Sequence, residues 1–163
     1  MRLVPRIGLQ DGHFYLGHTG GGGRFAYSIL GDTANTAARL ESLNRHLGTQ
    51  VLSAASVLSD ANGLLVRPLG SFRLLGKADP TSVVEIIGKR SIARAEQLDL
   101  CARFADALAA FQSQQWSAAA ELFATIVESG DDGPSGFYLT RCRRYLSLSP
   151  LPAEPTIIQM DDK

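Results

Sequence analysis

The sequence predicts an α+β fold followed by a small α-helical appendage, and its changing periodicity carries that prediction. From Arg6 to Ile87 apolar side chains alternate with polar ones in short segments cut by Gly, Asp and Pro, the pattern of half-buried strands. One amphipathic helix interrupts them, and after Gly88-Lys89-Arg90-Ser91 the period changes to near 3.6. These shifts divide the chain into 1–90, a helical extension at 91–148 and a Pro-rich extended tail at 149–163, marked by Pro150, Pro152 and Pro155.

Taken in order, Arg6–Gln10 and His13–His18 alternate around Asp11-Gly12, a dipeptide suited to a two-residue turn, so a β-hairpin is expected there. Gly20-Gly21-Gly22-Gly23 then reads as a mobile hairpin tip before a third strand, in which Phe25, Tyr27 and Ile29 alternate. That strand runs through Gly31-Asp32 directly into a helix. Asn35, Arg39, Ser42 and His46 share one stripe of it, and Thr36, Ala37, Leu40, Leu43 and Leu47 form the apolar face beside them. Asp32 is the expected N-cap and Gly48 the expected left-handed closing residue. Strands follow at Gln50–Ser53, Leu64–Leu69, Phe72–Leu75 and Ser82–Ile87, with a short helix at Ala54–Ser59.

In the extension, Cys101, Phe104, Leu108 and Phe111 line one helix, and Ala119, Leu122, Phe123 and Ile126 line a second, antiparallel one. Asp131-Asp132-Gly133-Pro134-Ser135 starts a third helix, from about Pro134 to Leu146. Two or three short helices bury too little surface to stand alone, so the extension must pack on a neighbour.

Composition narrows the function. Among 163 residues, 45% are apolar and 20% charged, and Lys plus Arg equals Asp plus Glu at 16 each, so no overall basic field invites nucleic acid. No apolar run reaches the roughly 18 residues of a membrane span. Two cysteines in helical patterns suit reduced thiols of a cytoplasmic protein. The glycines do not form a phosphate loop, since no G-x-x-x-x-G-K-[ST] occurs. His13, His18 and His46 lack zinc spacing and read as ordinary surface histidines, and no metal ligand is assigned. The basic run Arg141, Arg143 and Arg144 reads as a solvated face or a docking surface.

Gly31-Asp32-Thr33-Ala34-Asn35-Thr36-Ala37-Ala38-Arg39-Leu40-Glu41, preceded by Arg6-Ile7-Gly8-Leu9 and a Gly-rich turn, resembles the signature of class III nucleotidyl cyclases. The resemblance runs from about Arg6 to Ile87 and implies the distal part of a ferredoxin-like cyclase domain. By resemblance, Asn35 orients the ribose of ATP, and Arg39 stabilises charge on the α-phosphate while the 3′-hydroxyl displaces pyrophosphate; a planar, permanently charged guanidinium suits that task. Ser28, seven residues before Asn35, matches a purine-reading position, where a hydroxyl favours adenine less sharply than a carboxylate would. Lys77, beside Gly76, is either a partial stand-in for a phosphate-contacting lysine or a solvated turn residue.

The resemblance further implies a homodimer or a cyclase partner subunit, with sites between subunits and two Mg or Mn ions held by aspartates that normally precede the segment with which this chain starts. Asp11 and Asp32 match neither aspartate, so the chain is expected to carry the Asn/Arg half of a site and to be inactive alone. The Ala119-x-x-x-Phe123 step resembles a tetratricopeptide unit, as in bacterial sensor-type adenylate cyclases, whose full-length forms are often membrane-anchored. An adenylate cyclase is one expectation; a non-catalytic dimerisation module derived from one is the other.

Overall fold

A computed structural model describes residues 4–22, 24–59 and 61–160. Its elements are β1 (Ile7–Leu9), β2 (Tyr15–Gly21), β3 (Arg24–Leu30), α1 (Asp32–Leu47), β4 (Val51–Ala54), β5 (Leu64–Arg73), β6 (Thr81–Lys89), α2 (Ala95–Gln112), α3 (Trp116–Ser129), α4 (Gly133–Ser147) and β7 (Ile157–Gln159). Short 3₁₀ turns occupy Ala55–Leu58 and Arg90–Ile92. Among the described residues the strands form a mixed five-stranded sheet, ordered β1-β4-β6-β5-β7, and a separate β2–β3 ribbon. The α+β class expected from the periodicity is therefore the class observed.

Pairing corrects the expected hairpin at Asp11-Gly12. β1 runs parallel to β4, with Ile7 opposite Val51, whereas β2 pairs antiparallel with β3. The reason lies outside the local sequence. Gly8 lies directly against the α1 backbone at Ala37 and Glu41, an approach that any Cβ would block. Asn44, fully buried on α1, donates from Nδ2 to the Ile7 carbonyl at 3.0 Å, and the Ile7 amide donates to Gln50 O at 2.8 Å. β1 is thus held by the helix and by β4. The glycine run instead turns the β2–β3 ribbon, with Gly22 at φ 62°; Gly23, which completes the expected loop, lies outside the described residues.

Two other strand expectations change. Leu64–Leu69 and Phe72–Leu75 are not separate: β5 is continuous and bulges between Pro68 and Gly70. Gly70 takes φ 95°, and a Cβ there would meet the Tyr138 hydroxyl at 2.8 Å, so the bulge makes room for a helix. The tail is not merely extended, because Ile157–Gln159 pairs parallel with Ser71–Arg73 and buries Ile158 completely.

The extension packs on the sheet. One core joins Leu40, Leu43, Leu47 and Leu52 to Phe72 and Val83, and onward to Phe104, Phe111, Phe123 and Tyr138. Tyr138 carries its ring into that core, edge-on to Phe111 and stacked on Phe123, while its hydroxyl donates to the Leu69 carbonyl. Burial raises its pKa, so the phenol remains a donor. Beside it Arg67, 3% exposed, donates from Nε to Glu85 at 2.9 Å and from its terminal nitrogen to Asp132 at 2.8 Å, with its guanidinium 4.8 Å from the Phe104 ring centre. Asp132 also caps α4 by accepting from the Ser135 amide at 3.0 Å. Sheet, α2 and α4 are therefore joined through one buried cation. Cys101 and Cys142 are free, and burial pushes the Cys142 thiol up to about 11, far from a reactive thiolate at neutral pH.

Candidate functional site

Helix α1 begins where its sequence changes period, but Asp32 does not cap it. Gly31 is the N-cap, with φ 144° and ψ 164°, and no side chain accepts there. Asp32 is the first helical residue, where its charge favours the positive helix end, and it ion-pairs with Lys77. Gly48 closes the helix in the left-handed conformation as expected, at φ 70°. Between these ends Leu40, Leu43 and Leu47 face the core, which turns the polar stripe outward.

That stripe lines a groove of about 380 Å³: Asn35, Arg39, Ser42 and His46 form one wall, and Leu74, Leu75 and Met160 form the other. The helix supplies polar groups at successive turns, and the two residues after β5 and the residue after β7 supply an apolar face. Asn35 is exposed and its side chain makes no hydrogen bond among the described residues. Arg39 is half-buried, yet it has no carboxylate partner among the described residues. Its guanidinium lies over the Leu75-Gly76-Lys77 turn, where a Cβ on Gly76 would stand 3.2 Å from it and where φ is 65°. Gly76 is needed twice over, for backbone conformation and for room beside the cation. An unpaired guanidinium in a concave site with apolar surface opposite is suited to an anionic ligand that also carries a flat apolar part.

The other proposed residues, Lys77 and Ser28, lie outside the lining. Lys77 closes its turn through its amide to Leu74 O at 2.9 Å and turns its ammonium to Asp32, on the first turn of α1. Ser28 sits on β3 opposite Gly17, on the ribbon. Ser42 and His46 were legible as members of the stripe. Leu74, Leu75 and Met160 were not, because their placement depends on strand pairing remote in sequence.

The Mg or Mn ions implied by the resemblance have no fitting donor set here. Among the described residues no group of three or more His, Cys, Asp or Glu could hold a metal ion. Asp32 is committed to Lys77, and the exposed Asp11 accepts only a long 3.5 Å contact from Ser56. Among the described residues no helix is long and apolar enough to cross a membrane.

No family model matches the chain. Adenylate cyclase 1 of Rhizobium meliloti (strain 1021) is similar to it, 33% identical over 84 residues, which are 51% of this chain and 13% of that protein. Among solved structures, the adenylyl cyclase CyaB from P. aeruginosa superposes with a TM-score of 0.44 at 24% identity, over 55% of this chain and 45% of that one. A bacterial light-regulated adenylyl cyclase gives 0.42 at 25% identity, over 59% and 28%. The chain thus spans a small part of its curated relative, and about half of it is similar in sequence to that adenylate cyclase.

Proposed function

We propose that this chain supplies the asparagine–arginine half of a composite nucleotidyl cyclase site, forming cyclic AMP and pyrophosphate from ATP in intracellular signalling. The observation that carries the reading is Arg39: half-buried, without a carboxylate, seated over Gly76 and one helical turn from Asn35 in a groove. In the reaction the ribose 3′-oxygen bonds to the α-phosphorus, the bond from that phosphorus to the pyrophosphate oxygen breaks, and the hydroxyl proton is released. Negative charge shifts onto the α-phosphate oxygens and the leaving group. Arg39 offers two parallel donors to those oxygens without having to abandon another partner, so it is preorganised for the transition state. Asn35, with both donor and acceptor on one amide, holds the ribose in line. Leu74, Leu75 and Met160 give the purine an apolar face, and Ser28 reads its edge from the ribbon. Lys77 reaches phosphate only by leaving Asp32, an exposed pair worth little.

The same reading assigns the metal-holding carboxylates to a cyclase partner subunit, because another copy of this chain has no fitting donor set among its described residues. The β2–β3 ribbon supports such a partner: Phe14, Leu16, Ile29 and Leu30 are each more than half exposed, and Tyr15 is 80% exposed. A cytoplasmic location goes with this function.

The test is complementation. The chain is mixed with an intact cyclase subunit that keeps its metal-type aspartates but lacks its own asparagine–arginine pair, and cyclic nucleotide is measured with ATP or GTP in Mg²⁺ or Mn²⁺. The expected result is negligible turnover by either component, activity in the mixture, and higher kcat/KM for ATP. Robust turnover by the chain alone overturns the half-site reading. A mixture that associates yet stays inactive overturns the cyclase function, and a preference for GTP overturns the substrate.

A further inference from the structure

A second concavity, of about 350 Å³, lies between the C-terminal turn of α1 and one face of α4, and neither the cyclase resemblance nor the groove at Arg39 accounts for it. Its lining includes Arg141, Arg144 and His46, with Phe137 and Thr140 between them. The helix geometry explains which arginines of the basic run take part. Phe137, Thr140, Arg141 and Arg144 recur at the three- and four-residue steps that share a helix face, whereas Arg143 falls outside the lining. Neither Arg141 nor Arg144 has a carboxylate partner among the described residues. Arg141 is held nonetheless, its guanidinium 5.0 Å from the Phe137 ring centre, which fixes its plane without neutralising its charge.

Asp132 is already spent on Arg67 and on the Ser135 amide. Gly136 leaves the first turn of α4 open to the cavity, whereas Gly133 packs against the Leu47–Gly48 backbone at the end of α1. A solvated arginine face needs no concavity and no aromatic floor; this one has both.

We infer that the cleft between α1 and α4 is a binding site for a small polyphosphate-type anion, distinct from the groove at Arg39 and touching it only through His46. Its chemistry is two or more closely spaced phosphate charges shared between Arg141 and Arg144, with the His46 ring and the Thr140 hydroxyl as further donors. Because the site joins the helical extension to the helix that carries Asn35 and Arg39, an anion bound there would tie the extension to α1.

The experiment titrates inorganic pyrophosphate into the 163-residue chain by calorimetry at low ionic strength, in the absence of any nucleotide or partner subunit. The doubly substituted Arg141→Ala, Arg144→Ala chain is expected to bind at least tenfold more weakly, Arg143→Ala, exposed and outside the lining, within twofold of the parent, and the doubly Lys-substituted chain in between. Circular dichroism and thermal melting establish that each variant is folded. If the double alanine chain does not fold, the exposed Arg144→Gln alone is expected to weaken binding at least threefold. Parent-like affinity in the double alanine chain, no pyrophosphate binding at all, or an equal loss on Arg143→Ala would each overturn the site. So would an acidic peptide that binds through Arg141 and Arg144 where pyrophosphate does not. None of these outcomes depends on cyclase turnover, so the site can fail while the proposed function stands, and the reverse.

Discussion

Two arginines in this chain occupy opposite situations. Arg67 is 3% exposed and wholly committed, with Glu85 and Asp132 on its nitrogens and Phe104 across its face. Desolvation alone would depress its pKa, yet the two carboxylates outweigh that and raise it, so it stays charged in the core. Arg39 also lies against the body of the protein, but it has no carboxylate partner among the described residues and faces a groove. The contrast shows that an arginine's role is read from what satisfies it. A buried guanidinium with every partner in place joins elements; one held in position with its donors free is arranged for something that arrives.

The sharpest way to break the comparison is to remove the committed cation. Arg67→Ala leaves Glu85 and Asp132 short of their partner in a low-dielectric setting, and is expected to cost about 3–5 kcal/mol of stability in denaturant unfolding. A loss below about 1 kcal/mol would mean that this triad does not join sheet and extension. Tyr138→Phe keeps the ring packing and deletes only the donor to Leu69 O, so a loss of about 1–3 kcal/mol is expected by the same measurement. Gly76→Ala is the smallest change. Positive φ and the 3.2 Å approach of Arg39 predict a cost of about 1 kcal/mol, together with displacement of the guanidinium. In the complemented assembly that variant should lower turnover more than its modest stability loss explains. Unchanged turnover would separate Gly76 from the site.

The Arg39 side of the contrast was legible in the sequence, and the Arg67 side was not. Period 3.6 over Asp32–Leu47 puts Asn35, Arg39, Ser42 and His46 on one stripe whatever the tertiary fold, because a helix is a local structure. Strand partners are not local. Asp11-Gly12 carries a good hairpin signal, yet Gly8 fits against α1 and β1 pairs with β4, a competition between distant segments that the turn residues cannot report. Gly70 reads as a breaker until Tyr138 is known to need the space above it. For the same reason the tail strand at Ile157–Gln159, and with it Met160 on the groove wall, escaped a reading based on proline content.

The claim that Arg39 acts on the transition state is tested most directly by steady-state kinetics of Arg39→Ala in the complemented assembly, with folding checked beforehand. Arg39 is half-buried and has no carboxylate partner among the described residues, so its loss should leave unfolding stability within about 0.5 kcal/mol. Removal of one preorganised charge donor is expected to lower kcat on the order of 10²-fold or more, with a much smaller change in KM for ATP. A rise in KM with kcat intact would contradict the account, since Arg39 would then be binding ground state and transition state equally well.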